Sequence, residues 1–129
     1  MSQERWSLIT YLCFFNRCDE EDLNFKIAEN KRGNFWFIQN FKLCTRYNNK
    51  VGKKIRIYAK GITDKNSREL YAFRYYRNGI NVESYYKNKY NITLAFPELP
   101  CIYTIKGLSK YGDPHIDLFP IELIDIIGS

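Results

Sequence analysis

The chain has 129 residues, 45% of them apolar and 17% aromatic, with 20 Lys/Arg against 14 Asp/Glu and a formal net charge of +6. That length fits one domain with a modest core, and that apolar share excludes a chain disordered throughout. No stretch reaches the ~18 apolar residues of a membrane span, and the short apolar run 8–15, broken by Thr10 and Tyr11 after Glu4 and Arg5, is unlike a secretory leader.

In chain order, Leu8, Leu12 and Phe15 fit helical spacing, as do Ile9 and Cys13, and a strand reading stays open. Asp19, Glu20, Glu21 and Asp22 are acids suited to a first turn, which predicts a helix over about 19–30. Leu23, Phe25 and Ile27 alternate against that. Lys31-Arg32-Gly33-Asn34 reads as a turn, and the aromatic-rich 34–44 stays unassigned. A short strand is expected over 43–47, then a hairpin turn at Asn48-Asn49-Lys50 and Gly52. Residues 53–62 alternate, with Ile55, Ile57 and Ala59 on one face and Lys54, Arg56, Tyr58 and Lys60 on the other. Gly61 interrupts this strand as a bulge would. Residues 64–67 read as a polar turn, 69–77 as strand, and Asn78-Gly79 as a turn. Asn81 is an N-cap for a helix placing Val82, Tyr86 and Tyr90 on one face, and Asn91 ends it. Ile92, Leu94 and Phe96 alternate as a strand. Pro97 and Pro100 bracket an extended piece, and Cys101, Tyr103 and Ile105 continue as strand. Residues 107–114 form a polar loop, and Pro120 precedes an expected terminal helix over 121–127.

The charge is unevenly spread. Between Lys42 and Tyr90 stand 13 Lys/Arg against three acids, together with eight of the 11 tyrosines. Basic residues interleaved with aromatics suit a phosphate-bearing ligand with bases to stack, and equally a solvated strand face. The four cysteines (Cys13, Cys18, Cys44 and Cys101) contain no CxxC, and with one histidine, His115, they make no zinc pattern. They are expected as buried thiols in a reduced, intracellular and cytoplasmic setting. No nucleophile–base pairing, P-loop or metal-binding motif is present, so binding rather than catalysis is expected, with no metal and no cofactor.

VESYYKNKYNITLAFPELPC (82–101), followed by LFPIELIDII (118–127), resembles the PAZ domain of Argonaute-family proteins. Lys87-Asn88-Lys89-Tyr90-Asn91, Phe96-Pro97-Glu98-Leu99-Pro100-Cys101 and Phe119-Pro120-Ile121-Glu122 carry the likeness. It covers about 42–127, with 1–41 divergent, and a single domain over 1–129, excised from a larger protein, is expected. The resemblance implies an α+β, mostly β fold: a small OB/SH3-like barrel with an inserted hairpin-plus-helix module and flanking helices. It further implies a cleft holding the 3′ end of a small single-stranded RNA, namely a guide of siRNA, miRNA or piRNA type. The implied context is an Argonaute rather than a Dicer parent, a monomer beside the parent's other domains, with no membrane and no chemistry of its own.

Carried over by position, Tyr85 and Tyr90 are phosphate ligands and Tyr86 packs in the core. Lys53 falls on a phosphate-contacting arginine and Tyr47 on a histidine. Arg56 and Lys87 add positive charge. Ile55 replaces a phosphate-binding tyrosine, a loss that Tyr58 could offset. Phe73 is the expected base-backing aromatic, with Tyr71 two residues away as the alternative. Leu118 falls where many members have a tyrosine near the terminal ribose. Lys53 shares its alternation face with Ile55 and Ile57, opposite Arg56, so the two cannot both face RNA from one strand face. A second reading is a protein-interaction barrel that kept the fold and lost or weakened RNA binding, motivated by Ile55 and by the divergence of 1–41.

Overall fold

The computed structural model describes residues 6–72, 79–108, 110–112 and 114–128. Among them run seven strands and four α-helices, in two compact units. One unit comprises the chain up to Tyr58 together with Ile121 onward, and the other is Ala59–Pro120.

The first unit begins with a two-residue strand β1 (Trp6–Ser7) and helix α1 (Leu8–Asn16). Helix α2 (Glu20–Glu29) follows, as its acids predict. Asp19 caps it by accepting the Asp22 N–H at 3.1 Å, and Leu23 and Ile27, four apart, are its buried residues. Lys31-Arg32-Gly33-Asn34 is not a turn but the start of α3 (Lys31–Ile38). Asn30 caps α3 through the Gly33 N–H at 3.1 Å, and a Cβ on Gly33 would lie 2.3 Å from the Asn30 amide. Gly33 is therefore there to let the cap fold over it, not to break the chain. Asn34 is fully buried, and its amide exchanges hydrogen bonds with Asn16 of α1 at 2.6 and 3.2 Å.

Strands β2 (Lys42–Asn48) and β3 (Lys54–Ile57) form the expected hairpin. The expected terminal helix is absent. Ile121–Leu123 make a 3₁₀ turn, and Ile124–Gly128 are a strand, labelled β7 by its place in the chain. Its β-branched Ile124 and Ile126 suit a pleated, buried surface, and both are buried. β7 pairs antiparallel with β1 and β2, giving the sheet order β1-β7-β2-β3. Leu8, Leu12, Leu23, Ile38, Leu43, Ile121 and Ile124 fill the core, each contributing about 1.5–3 kcal/mol when fully buried.

The second unit opens with β4 (Gly61–Asn66). The strand expected over 53–62 is thus two, and the polar turn expected at 64–67 is largely strand. Gly61 explains the break: a Cβ there would lie 2.6 Å from the Tyr103 ring, so the backbone must close on that ring. β4 pairs with β5 (Pro100–Leu108), which forms a hairpin with β6 (Pro114–Pro120), all antiparallel. The Ala72 N–H donates to Ile80 O and the Val82 N–H to Leu70 O, both at 2.9 Å, with a Tyr71–Asn81 bridge between. Strand character expected over 69–77 is seen at that bridge, and 73–78 lie outside the described residues.

Helix α4 (Val82–Tyr90) follows. Asn81 accepts the Ser84 N–H at 2.7 Å, and Asn91 ends the helix in the left-handed region at φ 55°. Residues 92–96 are not a strand. Leu94 is buried, but the backbone bonds nearby serve turns: Leu99 N–H to Phe96 O and Ser67 N–H to Pro97 O, each 3.1 Å. The Leu99-Pro100-Cys101 segment, all buried, ties the unit together. The Cys101 N–H donates to Thr63 Oγ1 at 2.8 Å, its sulfur lies 3.4 Å from Ser67 Oγ, and the Ser67 carbonyl accepts the Glu83 N–H at the start of α4.

Candidate nucleic-acid interface

The expected site residues fall in both units: Tyr47, Lys53 and Arg56 in the first, and Tyr71, Tyr85, Lys87, Tyr90 and Leu118 in the second. Phe73 lies outside the described residues.

On α4 the helical repeat stacks residues four apart. Tyr86 and Tyr90 stack at 5.7 Å between ring centroids, 25° from parallel. Tyr85 meets Tyr86 edge-on at 5.2 Å and lies 6.3 Å from Tyr90. Tyr86 is the buried member, and its hydroxyl donates to the Leu118 carbonyl at 2.9 Å, fixing the helix to β6. Tyr85 and Tyr90 are half-buried. Lys89 completes the group. Its Nζ donates to the Tyr85 hydroxyl at 2.8 Å and lies 5.2 and 5.4 Å from the Tyr85 and Tyr90 ring centroids. The hydrogen bond to Tyr85 is the main cause that holds the Lys89 pKa above its ordinary value; partial burial opposes it. The expectation for this helix named Lys87, whose Nζ instead reaches Asn91 Oδ1 at 3.2 Å beside the C-cap. Lys89 was missed, although its i,i+4 spacing from Tyr85 is a signal that finds it. An ammonium beside a phenol hydroxyl suits an anionic, oxygen-rich group, and half-exposed rings offer faces for stacking.

Tyr71 is exposed and packs against Gly79, where φ is +23° and a Cβ would lie 2.5 Å from the ring. Leu118 is half-buried, paired with Tyr103, and its backbone carbonyl serves Tyr86.

In the first unit, the pairing of β2 with β3 shifts between Cys44 and Asn48. Thr45, fully buried, fills the irregularity: its hydroxyl donates to Tyr47 O at 2.7 Å and accepts the Ile55 N–H at 3.0 Å. Tyr47 is half-buried. Lys53 sits in the turn, its N–H donating to Asn49 Oδ1 at 3.0 Å and its carbonyl accepting the Asn49 N–H at 2.7 Å. It is exposed and outside β3, so the conflict of strand faces with Ile55 and Ile57 disappears. The Arg56 guanidinium lies 5.2 Å from the Tyr58 ring centroid, and both are exposed. Alternation within β3 puts Arg56 away from Ile55 and buried Ile57.

The cysteines divide, correcting the expectation of four buried thiols. Cys44 and Cys101 are buried, whereas Cys13 and Cys18 are partly exposed. Burial pushes the Cys101 thiol up to about 12.

The sequence profile of the PAZ domain matches residues 12–129. The chain belongs to the PAZ domain family. No curated protein sequence matches this PAZ domain. Solved structures do. One is a Drosophila Argonaute PAZ domain in complex with 3′-end 2′-O-methylated RNA, at TM-score 0.67 and 19% identity, covering 95% of this chain and 98% of that one. Another is the Drosophila Argonaute 2 PAZ domain, described for 3′ end recognition of nucleic acids, at TM-score 0.59 and 18% identity over 97% and 96%. A further Drosophila Argonaute 2 PAZ structure aligns at TM-score 0.63 and 19% identity over 94% and 97%. At these identities the likeness is one of fold: α+β, mostly strands, in two antiparallel sheets. Among the described residues no helix is long and apolar enough to cross a membrane.

Proposed function

We propose that this PAZ domain anchors the 3′ end of a small single-stranded guide RNA, of siRNA, miRNA or piRNA type, for an Argonaute-type parent, largely without regard to sequence. The α4 cluster carries the reading: two half-buried tyrosines and Lys89 on consecutive turns, in a PAZ-family chain whose fold neighbours were solved with, or for, nucleic-acid 3′ ends. Tyr85, Tyr90 and Lys89 grip terminal phosphates. Tyr47, Lys53 and Arg56 supply further donors and charge, Lys87 adds long-range attraction, and Tyr71 or Phe73 backs the last base. Leu118 contributes its backbone near the terminal ribose. Such contacts position phosphate and sugar and read no sequence. The domain does no chemistry, and any RNA cleavage belongs to the parent's other domains. It acts as a monomer in the cytoplasm.

Tyr85→Phe with Tyr90→Phe tests the reading, because it removes two hydroxyls and keeps both rings. A hydrogen bond to a charged group contributes about 1.5–3 kcal/mol, so each loss lowers affinity about 10- to 100-fold. Affinity for a free-ended RNA is measured by fluorescence anisotropy, with circular dichroism reporting the fold. Undiminished affinity in the folded double variant overturns this reading and favours the protein-interaction alternative, for which the missing hydroxyl at Ile55 and the divergence of 1–41 are the motive.

A further inference from the structure

The end of α1 holds a pair of thiols that RNA binding leaves unused. Arg17 takes the left-handed conformation at φ 55°, its N–H bonds to Phe14 O at 3.3 Å, and the Cys18 N–H bonds to Cys13 O at 3.1 Å. This is a Schellman cap, whose six-residue closure brings the first and last side chains into contact. In most proteins that contact is hydrophobic; here its two members are Cys13 and Cys18. The closure thus sets the two cysteines side by side. Both are free and partly exposed, in a surface depression also lined by Thr10, Arg17, Asp19 and Asp22. Cys44 and Cys101 are buried.

We infer that Cys13 and Cys18 are a modification site, forming a reversible intrachain disulfide by exchange with a low-molecular-weight disulfide of the glutathione class. One cysteine loses its proton and attacks a sulfur of the oxidant, releasing the first glutathione thiol and leaving a mixed disulfide on the protein. The second cysteine, deprotonated in turn, attacks the protein sulfur of that mixed disulfide and releases the second glutathione thiol. Two protein thiols are oxidised, one disulfide is reduced to two thiols, and the two protons pass to the departing thiolates. The cap already holds the two backbones together, as the narrow geometry of a disulfide requires. The bridge ties the end of α1 to the residue next to Asp19, the cap of α2.

The surroundings set the rate. Burial, the neighbouring Cys18 and then Glu20 push the Cys13 thiol up to about 11. Burial raises Cys18 as well, with Asp19 and Asp22 adding to it and the Cys13 hydrogen bond and Lys26 opposing. The attacking species is the thiolate, so exchange is slow at neutral pH and quickens as pH rises towards that value. Among the described residues no three metal-ligating side chains converge.

The test incubates the full chain with oxidised glutathione at mildly alkaline pH and reads free thiols, intact mass and the peptide map. The expected result is loss of two of the four thiols, a mass lower by two hydrogens, a Cys13–Cys18 cross-linked peptide and full reversal by a dithiol reductant. Cys18→Ser instead retains a glutathione adduct on Cys13 that the wild type resolves. Adducts on both cysteines without a cross-link overturn the proposal, as does retention of all four thiols after prolonged exposure. Neither result bears on RNA binding, which the α4 variants test separately.

Discussion

Lys89 lies one helical turn after Tyr85 and directly before Tyr90, its ammonium on the hydroxyl of the first and near the rings of both. It is exposed, so its removal changes stability by no more than about 0.5 kcal/mol, while the proposed phosphate contact is lost. Lys89→Met keeps most of the stem. It is expected to weaken RNA binding several-fold at low salt and to make the slope of log affinity against log salt shallower by about 0.7, the value for one contact on a single strand. An unchanged slope in an anisotropy salt titration contradicts that role. Cys101 gives a prediction of another kind. Its folded pKa of about 12 stands above the ordinary 9.0, for burial disfavours the thiolate. Between those values the unfolded chain holds fewer protons than the folded one, so stability falls as pH rises through the window. Cys101→Ala is expected to flatten the alkaline decline of the thermal midpoint without abolishing it, because Cys13, at about 11, adds to the same decline. Superimposable declines for the two proteins refute the assignment.

At the scale of elements, α4 is the piece most open to reading from residues. Its start and stop signals are local: Asn81 closes on Ser84, Asn91 adopts the left-handed turn, and Tyr86 meets Tyr90 at four-residue spacing. Asn81 also donates to Arg68 O at 3.3 Å. Asn81→Ala is expected to cost about 1–2 kcal/mol, seen as a thermal midpoint lower by several degrees; an unchanged midpoint means that the cap is not what holds this helix. β7 was illegible for the opposite reason. Ile121 to Ile127 is an apolar run whose local pattern allows a helix, and only pairing with β1 and β2, far away in sequence, makes 124–128 a strand. α3 was hidden because Gly33 reads as a breaker until the Asn30 cap folded over it is seen. Gly61 was noticed as an interruption, but the reason for it, the Tyr103 ring, arrives from β5. The site divides likewise. The shared face of Tyr86 and Tyr90 follows from helical spacing and the choice of Tyr85 from the family resemblance, whereas the turn position of Lys53 depends on Asn49 bonds that strand alternation cannot foresee.

At the scale of the whole molecule, the charge is concentrated in the middle of the chain, with 13 Lys/Arg against three acids over 42–90. Each phosphate neutralised releases counterions, so affinity must fall as salt rises. Salt dependence alone does not separate an end-anchoring domain from a general single-strand binder, which also tracks the backbone and stacks bases. The discriminating property is the end itself. The direct measurement is therefore a competition titration at fixed salt between a linear RNA with a free 3′ hydroxyl, the same RNA carrying a 3′ phosphate, and its circular form. The linear free-ended RNA is predicted to bind at least tenfold more tightly than either, whatever its sequence. Equal affinity for the linear and circular forms would contradict 3′-end anchoring outright.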